Sequence, residues 1–200
     1  MAVSADTLRL GIVEESTPAT TPSTPQFELI RTTGEGLTFE PVKVESQEIV
    51  NDSRGTADSI LAGANVQGDV NFELSSSAAM ELMLSAAMGS DWGDDPGLTP
   101  AVGADEAVDM SAIRTFTLEK RFTKDSTPTY RYHRFTGCMV DSLSLSITPN
   151  QPITGSAGFI GRSLGLATSE IIGASYTLSL VIALNNALSS KGADHGDPTD

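Results

Sequence analysis

Residues 66–89, VQGDVNFELSSSAAMELMLSAAMG, contain a strand that passes directly into a helix. Apolar residues at positions 66, 70, 72 and 74 alternate with polar ones, a period of two that is typical of a strand with one buried face. The three serines at 75–77 can accept the first free backbone NH groups of a helix, and Gly89 is a typical C-terminal stop. We therefore predict a strand that ends near residue 74 and a helix of about 13 residues after it.

The predicted helix is apolar around most of its circumference. Positions 79, 82, 83 and 86 form a stripe with helical spacing, and Met80 and Leu84 widen it. The helix is too short to span a bilayer and has no basic face for a membrane surface. We expect it to pack on the flank of a sheet, and the sequence leaves open whether that sheet belongs to one subunit or to two.

Other segments with strand character lie on both sides of this stretch. They are residues 8–13, 26–32, 37–44, 114–122, 129–135, 138–147, 153–161 and 175–184. A turn at residues 125–128 predicts a hairpin between two of them, and Pro41 predicts an edge position for the strand that contains it. The fold class that we predict is mainly β, an antiparallel sandwich or barrel with one flanking helix.

Two segments lack a strand or helix pattern. Residues 16–25, STPATTPSTP, should form an extended linker or arm that separates the first strand from the body. Residues 46–64 should form a long loop with two pairs of apolar anchors. The predicted organisation is an N-terminal strand and arm at 1–25, a β domain at 26–190 and a polar tail at 191–200.

The charge and composition exclude several classes of function. A formal net charge of −14 argues against capture of nucleic acid, which depends on Lys and Arg, and would let DNA pass without sequence-specific binding. The single cysteine and two separated histidines cannot form a common zinc site, and the acidic runs lack the spacing of a calcium loop. Residues 171–188 are too interrupted by polar groups to span a membrane. We expect no metal, no cofactor and no membrane.

One pattern could carry catalysis. Residues 161–165, GRSLG, match the G-x-S-x-G pattern of a nucleophile elbow, with Ser163 as the nucleophile and Asp194 and His195 downstream. The residues after Ser163 do not resemble the helix that an elbow requires. A serine hydrolase is therefore a remote alternative, and we expect no enzymatic activity.

The order of features resembles the tail tube proteins of long-tailed bacteriophages and prophages. The resemblance rests on EESTPATTPSTP at 14–25, SQEIVNDSR at 46–54, GANVQGDVNFEL at 63–74, TFTLEKRF at 115–122 and FTGCMVDSLSL at 135–145. It implies a virion structural protein whose subunits form rings, usually hexamers, with sheets joined edge to edge into an inner barrel. Stacked rings would form a DNA-conducting tube.

The same resemblance implies partners and a location. The chain would bind copies of itself, the tape measure protein, the tail terminator and the distal tail protein, and it would be assembled in the bacterial host cytoplasm and become part of the virion tail. The alternative is a tail terminator or head-tail connector, which forms one ring and does not polymerise. Tube length separates these possibilities.

Subunit contacts are expected where the chain packs poorly on itself. The candidates lie in the Pro/Thr-rich arm, in the long loop and on the wide face of the helix. They are Pro18, Pro22, Pro25, Ile49, Val50, Arg54, Ile60, Leu61, Met80 and Leu84. The alternative for the four loop residues Ile49, Val50, Ile60 and Leu61 is that they pack on their own domain.

Overall fold

The computed structural model describes residues 8–45, 59–89, 114–124 and 129–178. Within these ranges the chain is mainly β with one helix, as predicted. The elements are β1 (Arg9–Glu14), β2 (Gln26–Leu29), β3 (Thr32–Glu35), β4 (Thr38–Glu45), β5 (Ser59–Glu73), α1 (Ala78–Met88), β6 (Phe116–Lys124), β7 (Thr129–Ser146), β8 (Thr154–Gly161), β9 (Ser163–Ala167) and β10 (Ser175–Thr177).

The strands form one mixed sheet in the order β10-β2-β1-β6-β7-β8-β5-β3, with β4 also on β5 and β9 also on β7. Among the described strands, only β10 and β2 pair in parallel. Strand β7 belongs to two parts of this sheet. Half A contains β10, β2, β1, β6, β9 and residues 129–138 of β7, and half B contains residues 139–146 of β7, β8, β5, β3 and β4. The described sheet is not closed into a barrel, so of the two predicted architectures the sandwich is the one observed.

A bulge at Gly137 allows β7 to continue from one half to the other. Phe116 pairs with Cys138 and Leu118 pairs with Phe135, so two residues of β7 face one residue of β6. Gly137 has φ 65°, a left-handed conformation that favours glycine in such a bulge. The two strands predicted at 129–135 and 138–147 are therefore one strand of 18 residues.

The core lies between the two halves and contains side chains from both. Phe116, Leu118 and Phe135 come from half A, whereas Phe72 and Phe159 come from half B, and all five are nearly inaccessible to solvent. The alternation predicted for residues 66–74 is confirmed, since its apolar positions 66, 70 and 72 are buried and the intervening polar ones are exposed. One continuous apolar cluster thus holds the two halves together.

The helix begins and ends where the sequence predicts. Ser77 Oγ accepts a hydrogen bond from the backbone NH of Met80 at 3.3 Å, and Gly89 ends the helix with φ 62°. Met83 is buried in the core. Ser85 is also fully buried, and its Oγ donates to the carbonyl of Leu82 and accepts from Arg114 Nη1.

The prediction that residues 16–25 separate the first strand from the body is wrong. Strand β1 lies between β2 and β6, so this segment connects two neighbouring strands of half A. It folds back through a turn in which the NH of Thr20 donates to the carbonyl of Thr17 at 3.0 Å. The three-part division of the whole chain stays a prediction, since residues 1–7 and 179–200 lie outside the described part.

The loop prediction at 46–64 is wrong for residues 59–64, which belong to β5 and, except for Ala62, pair with β4. Residues 46–58 lie outside the described residues. Sequence periodicity failed at 59–64 because Ala62 has no partner on β4, and this bulge interrupts the alternation of β5. The edge position predicted for the strand with Pro41 is confirmed within the described residues, where β4 pairs only with β5.

Candidate subunit interface

The face of half B that points away from the core is mainly polar, with acidic residues on β5 and an exposed Ile160 on β8. Along β5 it presents Gln67, Asp69, Asn71 and Glu73, all exposed. Serines at 142, 144 and 146 of β7 and polar residues at 154 and 156 of β8 share this face by strand alternation. The outward positions of these three strands carry no Lys or Arg, so the face is uniformly neutral or negative.

Gly158 provides room at the centre of this outward face. Asp69 and Gly158 are cross-strand partners, as are Gly158 and Ser142. A Cβ at Gly158 would lie 2.4 Å from Ser142 Oγ and 3.3 Å from Asp69 Oδ1. The two polar side chains therefore lean over the glycine.

Half B also has two strand edges without a strand partner among the described residues. On one side, residues 139–146 of β7 pair with β8 only, because the pairing of β6 with β7 ends at Cys138. On the other side, β3 and β4 pair with β5 only. Unpaired backbone NH and carbonyl groups at such edges are able to bind another strand.

Part of β4 and β5 extends beyond the sandwich as a two-stranded ribbon. Pairing between β5 and β8 begins at Val66, so residues 59–65 of β5 pair only with β4. We call residues 40–45 and 59–65 the ribbon. Val42, Val44 and Ile60 are exposed on it, Val44 to 52% and Ile60 to 58%. An isolated two-stranded ribbon with exposed apolar side chains is marginally stable in water.

The outward face of half A is different, because it is covered by later parts of the chain. Glu119 on β6 is only 2% exposed and lies among cationic and phenolic groups. It accepts hydrogen bonds from Arg134 Nε at 2.8 Å, from Tyr176 Oη at 2.7 Å and from Arg9 Nη2 at 3.4 Å. The Arg9 guanidinium also lies 3.5 Å from the centre of the Tyr176 ring.

These contacts attach the last described strand to the rest of half A. Burial, and then the hydrogen bond with Glu119, raises the pKa of Tyr176, so the phenol stays protonated and continues to donate. Glu170 contributes in the same area, because it accepts from Tyr132 Oη at 3.2 Å. Burial, and then the Glu170 carboxylate, raises the pKa of Tyr132.

An ion pair links the two halves at another point. Lys120 of β6 contacts Glu35 of β3, and both side chains are largely buried. His133 is the cross-strand partner of Lys120. Burial, and then the nearby Lys120 ammonium, lowers the pKa of His133, which favours a neutral imidazole at pH 7.

The structure scatters the sequence-predicted interface residues. Pro18 is exposed and Pro22 half-buried, while Pro25 is buried next to the start of β2. Met80 is 4% exposed within the core, and Leu84 is half-buried against it. Ile60 lies on the ribbon, and Leu61 is its neighbour in β5. The remaining candidates, Ile49, Val50 and Arg54, lie outside the described residues.

The alternative based on Ser163 lacks the geometry of a nucleophile elbow. Ser163 is the first residue of strand β9, and its Oγ lies 2.6 Å from Thr136 Oγ1. A strand continues after it where the pattern requires a helix. Its proposed partners, Asp194 and His195, lie outside the described residues.

The described residues hold no group of three or more His, Cys, Asp or Glu side chains that could bind a metal ion. No helix in the same ranges has the length and apolar character of a membrane span.

Sequence reasoning missed the buried carboxylate of Glu119 and, apart from Ile60, the apolar face of the ribbon. Glu119 alternates with Phe116 and Leu118, a pattern that places it on the solvent side of a strand. The available signal was the run of Tyr132 and Arg134 on the next strand, at the same spacing of two. The ribbon was missed because its apolar residues are few and are interrupted by a bulge.

Comparison with known proteins assigns the chain to a family. A family model described as phage tail tube protein matches residues 6–194. The chain belongs to the phage tail tube protein family. The resemblance seen in the sequence is thereby confirmed, and the membership supports a virion component that acts as a structural subunit of a tail tube.

A solved tail tube structure shows the same fold. A chain of the SPP1 tail tube, solved by solid-state NMR and cryo-EM, is 10% identical, with a TM-score of 0.50 over 84% of this chain and 80% of that chain. A chain from the virion of a native gene transfer agent particle is 12% identical, with a TM-score of 0.43 over 84% of this chain and all of that chain. No curated protein sequence matches the chain significantly.

Proposed function

We propose that this tail tube protein assembles into rings that stack into a DNA-conducting tube. The observation that carries the proposal is half B, which is four strands wide, has two edges that are unpaired among the described strands, and has a mainly polar, acidic outward face. A ring that joins these edges removes both of them and turns the four-strand units into one continuous barrel. The usual ring of the family, a hexamer, is the ring size that we propose.

The strand directions of half B are compatible with such a ring. Strand β8 is antiparallel to both β7 and β5, and β5 is antiparallel to β3 and β4. Successive strands therefore alternate in direction, beginning with β7 and ending with β3 and β4. A copy rotated about an axis along the strands places its β7 antiparallel to the β3–β4 edge of its neighbour. The barrel that results is antiparallel throughout, including at the joints between subunits.

The outward face of half B is the surface that we propose for the lumen. The other face is occupied by the core, so the acidic residues Asp69 and Glu73 would point into the channel. A lumen without Lys or Arg on these three strands repels phosphates and lets DNA move without adhesion. The net charge of −14 per subunit acts in the same direction.

The ribbon favours a tube over a single ring. A tail terminator or a head-tail connector forms one ring, whereas the ribbon projects beyond its own sandwich and presents apolar side chains at one end. A repeated head-to-tail contact produces a filament. Tube assembly in the host cytoplasm, with the tape measure, terminator and distal tail proteins as partners, belongs to the same proposal.

Electron microscopy of the purified protein tests this function. We expect rings at low concentration and tubes at high concentration, with no added cofactor. Particles that remain monomeric at high concentration would contradict the proposal. Rings that never elongate would favour the terminator or connector alternative.

A further inference from the structure

Half B carries two exposed apolar patches at opposite ends. The first is the ribbon face formed by Val42, Val44 and Ile60. The second, which we call the end patch, is formed by Leu145 and Ile147 at the end of β7, exposed to 46% and 74%. Strands β5 and β7 run in the same direction, since both are antiparallel to β8. The ribbon extends from the beginning of β5, and the end patch follows the end of β7.

The ribbon patch lies on the outward side of the sheet. Val44 pairs with Ile60 and Val42 pairs with Gly63, and the bulge residue, Ala62, is on β5. The alternation of β4 is thus uninterrupted, and Val42 and Val44 share the side of Thr38. Thr38 is the partner of Gln67, a residue of the outward face. The ribbon patch is therefore an apolar continuation of the acidic outward face.

The end patch lies on the opposite side of the sheet. Leu143 pairs with Ala157, which is completely buried, so Leu143 points to the core side. Leu145 and Ile147 follow at the same spacing of two and become progressively more exposed towards the end of the strand. They continue the core-facing surface beyond the point where the sandwich covers it.

The ribbon patch and the end patch lie at opposite ends and on opposite faces of the sheet. An overlapping contact between two stacked subunits, which we call the joint, requires this arrangement. When one copy is translated along the strand direction, its ribbon can slide beneath the end of the next sheet. The outward face of the ribbon then meets the core-side face at the end patch. Two patches on the same side of the sheet could not face each other in this way.

The charge near the end patch also suits a second copy as the partner. Residues 146–153, SITPNQPI, contain no charged side chain, although 19% of the whole chain is charged. An acidic second copy can therefore approach this end without like charges placed directly at the contact. A partner with a basic surface would find no complementary acid in this turn.

We propose that the ribbon of one subunit packs on the end patch of a subunit in the next ring, with Val42, Val44 and Ile60 against Leu145 and Ile147. The proposal rests on the ring and tube function described above and identifies the surface that receives the ribbon. Burial of these five side chains drives the contact and stabilises the ribbon, which has no other cover among the described residues.

Charge variants test the joint. In Ile60→Lys and in Ile147→Glu, an unpaired charge would be buried at the contact, so each single variant should form rings with little tube. We expect the critical concentration for elongation to rise about tenfold or more, the effect of about 1.4 kcal/mol. The double variant pairs the two charges across the joint and should regain tubes. The matched control, Ile172→Lys, changes an exposed isoleucine outside both patches and should elongate normally.

A disulfide provides a direct measurement of proximity. Tubes of a variant with Ile60→Cys and Ile147→Cys should give a ladder of covalent multimers on oxidation, and neither single cysteine variant should. The native thiol does not interfere, because Cys138 is fully buried.

The outcomes separate this inference from the proposed function. Unchanged elongation of both single charge variants, loss of elongation in the Ile172→Lys control, or tubes of the double cysteine variant without a ladder would overturn the joint while leaving the tube function intact. If the unmodified protein forms neither rings nor tubes, the function itself fails.

Discussion

Replacement of Glu15 by alanine should destabilise the folded subunit far more than the same replacement at the adjacent Glu14. The Glu15 carboxylate is buried and accepts three hydrogen bonds. The donors are the NH of Ala19 at 2.7 Å, Thr117 Oγ1 at 2.7 Å and the NH of Gly137 at 3.0 Å. One side chain thus holds together the turn after β1, the beginning of β6 and the bulge in β7.

The expected loss of unfolding free energy in Glu15→Ala follows from these three hydrogen bonds. A hydrogen bond to a charged group contributes about 1.5–3 kcal/mol, but the contributions are not additive. Ala19 and Gly137 are half-buried, so water can replace part of what they lose. We expect Glu15→Ala to lower the free energy of unfolding by about 3 kcal/mol. For a chain of this length the Tm should fall by about 6–12 °C.

Glu14 provides the matched control. Its side chain is 43% exposed and lies 3.6 Å from Arg114, and exposed ion pairs of this kind contribute at most about 1 kcal/mol. The assay is thermal and urea unfolding at a protein concentration below assembly, because assembly would raise the Tm by mass action. Equal losses in the two variants, or a loss below about 1 kcal/mol for Glu15→Ala, would refute the account of Glu15 as a three-way contact.

Three further predictions concern close packing, the lumen and the free thiol. Gly155→Ala should lower the free energy of unfolding by about 1–3 kcal/mol, because the new Cβ would lie 2.7 Å from backbone and ring atoms. The control Gly165→Ala, where no atom lies nearer than 3.8 Å, should be nearly neutral. Similar losses in the two variants would contradict the close packing at Gly155. Short duplex DNA should co-sediment with tubes of Asp69→Lys but not with tubes of Glu81→Lys, which has the same charge change on the helix. Equal retention of DNA by the two variants would argue against the outward face of half B as the lumen surface. Burial raises the pKa of the Cys138 thiol to about 12, so alkylation at pH 8 should be about a thousandfold slower in the folded protein than in urea, and equal rates would refute its enclosure.

The elements that the sequence predicted correctly are those with uninterrupted local patterns. The alternation at 66–74 and the serines and Gly89 around the helix involve neighbours only, so the chain determines them locally. The hairpin of β6 and β7 was predicted for the same reason, and its pairing is confirmed although the turn at 125–128 lies outside the described residues.

The features that the sequence could not predict depend on distant residues. Glu119 is buried because Arg9, Arg134 and Tyr176 converge on it, and no local pattern contains that information. In the sequence, Gly137 indicates a break between two strands, yet its left-handed conformation is what allows β7 to continue. The candidate interface shows the same limit, since the ribbon depends on where β8 stops pairing with β5.

The position of β10 beside β2 has a consequence for how the subunit folds. Ser175 pairs with Gln26, so half A cannot be completed until nearly the entire described chain has been synthesised. The β1–β2 pair, the β6–β7 hairpin and the β4–β5 pair can form early from nearby residues, whereas the other edge of β1 must wait for β6. Such long-range pairing slows folding into the range of milliseconds to seconds. The two ends of the described chain therefore meet late, and a nascent chain that lacks its last strand has the apolar ring of Phe27 without its stacked partner, Tyr176.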